Sequence, residues 1–127
     1  MRYPVSGTCT QTIPNATAAG ATGITTLLSI TTGRVFWCRG FFTAGAATFG
    51  PMEIYDATTQ STATSHPMRF KVYLGEATGA GTGGGFTVKT FPAPGIKFSN
   101  NYVLARLAAS GATDTLEGSC GIWGYEE

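Results

Sequence analysis

The sequence predicts an all-β domain built as an antiparallel sandwich or barrel. Three observations predict it. No segment carries a sustained helical period, and the helix formers Glu, Lys, Leu and Gln are sparse beside Thr, Gly, Val, Phe and Tyr. Short apolar runs recur along the chain, separated by Gly, Pro, Asn and Asp. The clearest runs alternate with a period of two, which turns one face toward a core and the other outward. A length of 127 residues suits one domain, and 43% hydrophobic and 12% aromatic residues suffice for a core.

Taken in order, residues 1–23 read as an N-terminal arm or first strand, and residues 24–127 as a single sandwich domain; about eight strands are expected. Ile24 to Thr31 reads as a strand that ends in a Thr32-Gly33 turn. Arg34 to Thr43 follows, apolar on both faces, with Val35, Trp37 and Phe41 on one and Phe36, Cys38 and Phe42 on the other. A strand apolar on both faces is buried on both. In a two-layer sandwich its outer face therefore needs a cover, from the same chain or from a neighbour. Met52 to Tyr55 alternates as a further strand after Gly50-Pro51.

Met68 to Leu74 is the clearest strand, with Met68, Phe70, Val72 and Leu74 inward and Arg69, Lys71 and Tyr73 outward. Phe86 to Phe91 places Phe86 and Val88 inward and Thr87 and Lys89 outward, and Pro92 and Pro94 stop it. Ile96 to Phe98 resumes the alternation. After Asn100-Asn101, Tyr102 to Ala108 forms a strand with Val103, Ala105 and Leu107 on one face, and Leu116 to Tyr125 closes the domain. Ala57 to Ser65, Ala77 to Gly85 and Asn15 to Gly23 read as loops.

Charge bounds the function. Charged residues are 12% of the chain, about half the usual share of roughly 25%. The surface is rich in Thr, Ser, Ala and Gly instead, which suits a protein much of whose surface is covered by partners. The eight basic residues (Arg2, Arg34, Arg39, Arg69, Lys71, Lys89, Lys97, Arg106) are scattered and the net charge is +1, so no nucleic-acid footprint is expected. No run of 18 apolar residues is present to span a membrane, and Met1-Arg2-Tyr3-Pro4 opens no signal peptide.

Tests for chemistry return little. Cys9, Cys38 and Cys120 are odd in number and widely spaced, which argues against a disulfide framework and against zinc. They read as small buried hydrophobes in a protein made in a reducing cytoplasm. Asn15-Ala16-Thr17 is a glycosylation sequon that carries little weight without a signal peptide. Gly79 to Gly84 matches GxGxxG, but a strand follows where a dinucleotide site needs a helix. His66 is the single histidine, and Ser65 beside it points the other way on a strand, so they form no dyad. Glu53 with Asp56, and Asp114 with Glu117, make no ligand constellation. Neither a cofactor, a metal nor a catalytic residue is expected, and the chain is not read as an enzyme. Trp37, Trp123 and Tyr125 are candidates for a stacking platform, set against the alternative that they fill a core or a subunit interface.

The order Gly40 to Gly45, Met52 to Ala57, Arg69 to Tyr73, Phe91-Pro92-Ala93-Pro94-Gly95-Ile96-Lys97-Phe98-Ser99-Asn100, then Tyr102-Val103-Leu104 and a last strand ending near Tyr125 resembles small tailed-phage virion proteins. The resemblance covers roughly residues 24–125 and rests on composition and order, not on an active-site signature. It implies a jelly-roll-like sandwich and a structural role in the virion: a head decoration (cement) protein, often trimeric, or a neck, tail or fibre component. The implied partners are further copies of the chain, as a homotrimer, and a major capsid or other virion protein, with assembly into the particle after synthesis in the host cytoplasm. Residues expected at interfaces are Met1, Arg2 and Tyr3 in the N-terminal segment and Phe36, Phe42, Trp123 and Tyr125 on strand faces. A carbohydrate- or receptor-binding module on the same fold is the alternative.

Overall fold

The computed structural model describes residues 1–13, 22–45, 49–60, 65–73, 86–109 and 116–127. Its strands are β1 (Tyr3–Ile13), β2 (Thr22–Ser29), β3 (Phe36–Gly45), β4 (Phe49–Ala57), β5 (Met68–Tyr73), β6 (Phe86–Thr90), β7 (Ile96–Phe98), β8 (Tyr102–Ala109) and β9 (Leu116–Glu126). They form two antiparallel sheets. The first runs β1-β9-β3-β6, with β7 also paired to β3; the second runs β2-β8-β4-β5.

The pairing is nested. β1 pairs with β9, β2 with β8, β3 with β6 and β7, and β4 with β5. One long hairpin rolled over on itself gives this order, which is a jelly roll. The ninth strand arises because β6 and β7 are one partner of β3 interrupted by Phe91 to Gly95. The two prolines there withhold backbone donors, and Gly95 takes a positive φ of 107°. Residues 3–13 are thus a full strand, paired with β9 along all 11 residues, and not an arm reaching outward.

Alternate residues of the two sheets meet between the layers. Phe36, Cys38, Phe41, Cys120 and Ile122 of the first sheet pack on Leu27, Met52, Ile54, Val72, Val103 and Ala105 of the second. Phe98 of β7 joins them, and the ring of Phe70 lies edge-on to those of Phe41 and Phe98. Burial of these side chains is the main stabilising term. Thr43 is buried in the same layer, and its hydroxyl has no hydrogen-bond partner among the described residues.

Three expectations about facing are corrected. In β3 the register against β9 shifts between Cys38 and Gly40, a bulge centred on Arg39. A bulge adds one residue and reverses the facing of all that follow. Phe36 and Cys38 before it, and Phe41 after it, therefore face the core, while Trp37 and Phe42 share the outer face. Phe36 is fully buried between the sheets and is not available as an interface residue. In β6, Val88 lies opposite Phe42 on the outer face and is half exposed. Met68, at the start of β5 beside a register shift, is exposed as well. The expected loop at Ala77 to Gly85, with its glycine-rich stretch, lies outside the described residues, as do Leu74, Asp114, residues 15–21 of the expected loop at Asn15 to Gly23, and residues 61–64 of the one at Ala57 to Ser65.

Candidate interaction face

The two outer faces of the sandwich differ. On the second sheet, Tyr55, Ala57 and Leu104 form a small buried cluster with Tyr102 packed against it. Gln60 donates from Nε2 to the Thr26 hydroxyl at 3.2 Å, and Thr26 and Tyr55 are the two cross-strand partners of Leu104. The Gln60 side chain thereby reaches from the β4 side across β8 to β2. Glu53 accepts from Arg106 and from the Tyr55 hydroxyl. Burial, and then the Glu53 carboxylate, raise the Tyr55 pKa above that of an ordinary phenol.

The outer face of the first sheet has no such cover among the described residues. Its register sets out three rows across the strands: Lys97, Trp37, Tyr125 and Pro4; then Thr90, Gly40, Trp123 and Ser6; then Val88, Phe42, Gly121 and Thr8. Two aromatics in these rows face a glycine. The Trp123 ring lies over Gly40, and the Phe42 ring lies over Gly121. Large and vacant positions alternate diagonally, so both rings lie flat on the sheet and are half-buried. Aromatic pairing across strands that lack a side chain stabilises them in just this way.

Within those rows Lys97 is the one charged residue, its ammonium 5.8 Å from the Trp37 ring centre. The rest are aromatic, aliphatic, or small Ser, Thr and Gly. Charges gather at one end instead. The Arg2 guanidinium stacks 4.7 Å from the Tyr125 ring centre, and that of Arg34 lies 3.8 Å from the Tyr3 ring centre. Arg2 also approaches Glu127 at 3.8 Å, and Tyr125 donates its hydroxyl to the Pro94 carbonyl at 3.3 Å. A depression of about 330 Å³, lined by Pro4, Val5, Ser6, Trp123 and Gly124, opens beside Trp123.

Of the residues expected at interfaces, Phe42, Trp123 and the buried Tyr125 lie together on this face, Arg2 stands at its rim, Tyr3 shares the inward-facing row of Phe36 and Glu126 at the sheet edge, and Met1 is almost fully exposed at the chain end. Phe36 is on the opposite side of its sheet, in the core. Trp37 and Val88 join the face because the bulge and the cross-strand register place them there, and neither signal is legible in a periodicity.

Two carboxylates, those of Asp56 and Glu126, serve the framework. Asp56 is buried and accepts the backbone N–H groups of Ser99 and Asn100 at 3.0 and 2.9 Å, fixing the turn between β7 and β8. Glu126 is buried and accepts from the Thr31 backbone at 3.0 Å and from Arg34 at 3.4 Å. Burial raises its pKa, but the Thr31 and Arg34 contacts outweigh this and hold it below the ordinary carboxylate range. His66 contacts the Thr59 hydroxyl at 3.3 Å through Nε2. No group of three metal-ligating side chains occurs among the described residues.

No family model and no curated protein matches the chain. Among solved structures it is similar to a chain of the Cyanophage Pam1 capsid asymmetric unit, at 14% identity and a TM-score of 0.44, over 98% of this chain and 84% of that one. At that distance the likeness assigns neither a partner nor a place in a particle.

Proposed function

We propose that the chain is a structural component of a bacteriophage virion, a capsid decoration (cement) protein that acts by subunit contact and not by catalysis. The observation that carries this reading is the outer face of the first sheet, which has no cover among the described residues: Trp37, Phe42, Val88 and Trp123 with a single lysine among them, and Tyr125 buried beside the Arg2 guanidinium at its end. Apolar aromatic centres with a charged rim are how protein interfaces are built. The partner surfaces are further copies of the chain, as a homotrimer, and the shell protein beneath. The jelly roll alone does not choose this function, because shell proteins, lectins and small-molecule binders share it. The resemblance of the strand sequences to small tailed-phage proteins adds to it.

Mechanistically, the rigid sandwich would present a flat, weakly hydrated face at every symmetric position of a shell. Apolar burial contributes roughly 25 cal/mol per Å², offset by the cost of association, and repeats with each copy. The test is the composition of purified particles and the mass of the isolated protein under native conditions. A trimer that binds shells, with binding lost on Phe42→Arg or Val88→Arg while the fold is kept, supports the proposal. A well-behaved monomer without affinity for any head, neck or tail assembly overturns it.

The depression beside Trp123 favours one other reading, a fibre or tail module that stacks a sugar ring on the indole with Ser6 as a polar partner. Binding on a glycan array that disappears on Trp123→Ala would replace the first reading with this one.

A further inference from the structure

We propose that Cys9 and Cys120 form an intramolecular disulfide that staples the first strand of the domain to the last. They stand 111 positions apart in the sequence, yet they are direct partners in the β1–β9 register, with Sγ atoms 3.1 Å apart. Residues directly opposed in an antiparallel pair have Cβ atoms about 4.5–5.5 Å apart, and a disulfide takes about 3.5–4.5 Å. A small approach of the two strands closes the bond.

The two sulfurs differ in access and in acidity. Cys9 is half-buried at the sheet edge, while Cys120 is fully buried. Either thiol can donate in the hydrogen bond between them; once Cys9 is deprotonated only Cys120 can, which favours the Cys9 thiolate and holds it below the ordinary thiol range against the effect of burial. The same hydrogen bond, with burial, pushes Cys120 up. Cys38 lies apart in the core, donates to the Gly40 carbonyl at 3.4 Å, and is pushed up to about 12 by burial. The pair therefore has an attacking sulfur within reach of solvent and a resolving sulfur held against it, and Cys38 has neither.

The oxidant is a small-molecule disulfide such as oxidised glutathione. The Cys9 thiolate attacks one of its sulfurs, forms a mixed disulfide and expels one glutathione thiolate. Cys120 loses its proton to solvent as its sulfur attacks Cys9 Sγ, which closes the protein disulfide and expels the second glutathione thiolate. Two thiols are oxidised and one small disulfide is reduced. The product links β1, an edge strand held by one neighbour in its sheet, covalently to β9. Edge strands are where a sheet peels and exchanges, and the bond removes that route. This proposal does not depend on the virion reading.

The test treats the purified full-length protein with oxidised glutathione and counts thiols after denaturation. The expected count falls from the three cysteines to one. A tryptic digest under non-reducing conditions then links the peptide Tyr3–Arg34 to Leu107–Glu127, leaving Cys38 free in Val35–Arg39. The melting temperature is expected to rise by roughly 5–15 °C, reversibly with dithiothreitol. Cys38→Ser keeps the shift, and Cys9→Ser and Cys120→Ser each lose it. Three persistent thiols where a dithiol peptide control is oxidised, a glutathione adduct that stays on Cys9, or a link to Cys38 would each overturn the proposal.

Discussion

Trp123 and Gly40 face each other across β9 and β3, and the indole occupies the space that a side chain at position 40 would need. One strand over and one row on, Phe42 does the same above Gly121. This interlock lets two large rings lie flat on an outer sheet face. It makes that face smooth enough for another surface to meet it.

Substitution at Gly40 separates a yielding contact from a rigid one. In Gly40→Ala the methyl meets the six-membered ring of the Trp123 indole, a side chain that can swing toward solvent. The expected cost is about 1 kcal/mol, with a red shift of tryptophan emission. In Gly124→Ala the methyl meets the Trp37 backbone carbonyl, which cannot swing away. The expected cost there is about 3 kcal/mol or more. Denaturant unfolding of both variants checks the order, and equal costs would contradict it.

Phe36 and Trp123 test the division between core and face. Phe36 is fully buried and packs 5.7 Å from Phe98, so Phe36→Ala is expected to destabilise the isolated chain by about 3–5 kcal/mol. Trp123 is half-buried on the outer face, and Trp123→Ala is expected to cost about 1–2 kcal/mol at most. A loss from Trp123→Ala as large as that from Phe36→Ala would mean that the face belongs to the core.

The hydroxyl of Thr43 is a stored cost. It is buried in the inter-sheet layer with no hydrogen-bond partner among the described residues. Thr43→Val replaces it with a methyl of nearly the same shape. The variant is expected to be more stable by about 1 kcal/mol, read as a higher denaturant midpoint at unchanged slope.

Glu126 sets an acid limit on stability. Its folded pKa is depressed by the Thr31 and Arg34 contacts, so the unfolded chain binds its proton more readily. The contribution is complete above the unfolded value, roughly pH 4.3. It is lost as pH falls through the lower folded value. Glu126→Gln is expected to lower the melting temperature at pH 7 and to flatten its fall between pH 5 and about 3, measured by thermal scans across that range.

Asp56 holds the turn that lets β7 pass into β8. Asp56→Ala leaves the part-buried N–H groups of Ser99 and Asn100 without their acceptor. The expected loss is about 2–3 kcal/mol, with faster amide exchange at residues 99 and 100. Unchanged exchange there would show that another acceptor takes over.

Much of this was legible before any coordinates. Alternation in Met68 to Val72 and in Val103 to Ala105, with Gly, Pro and Asn between the runs, set out an all-β sandwich, and Phe70, Val72, Val103 and Ala105 do face inward. The low charge and the double-faced apolar run after Arg34 pointed to a surface needing a cover. Those signals are local: a side chain's polarity and its parity along a strand are fixed within a few residues. What the tertiary structure decided depends on pairing between distant segments. The bulge at Arg39 exchanged the places of Phe41 and Phe42, because facing after a bulge depends on the register with β9 and not on the residues themselves. The nested strand order put Cys9 beside Cys120, a contact that no spacing rule anticipates. It also brought Gln60 over one outer face and left the other without such a cover among the described residues, since cover is a property of where a returning segment lands.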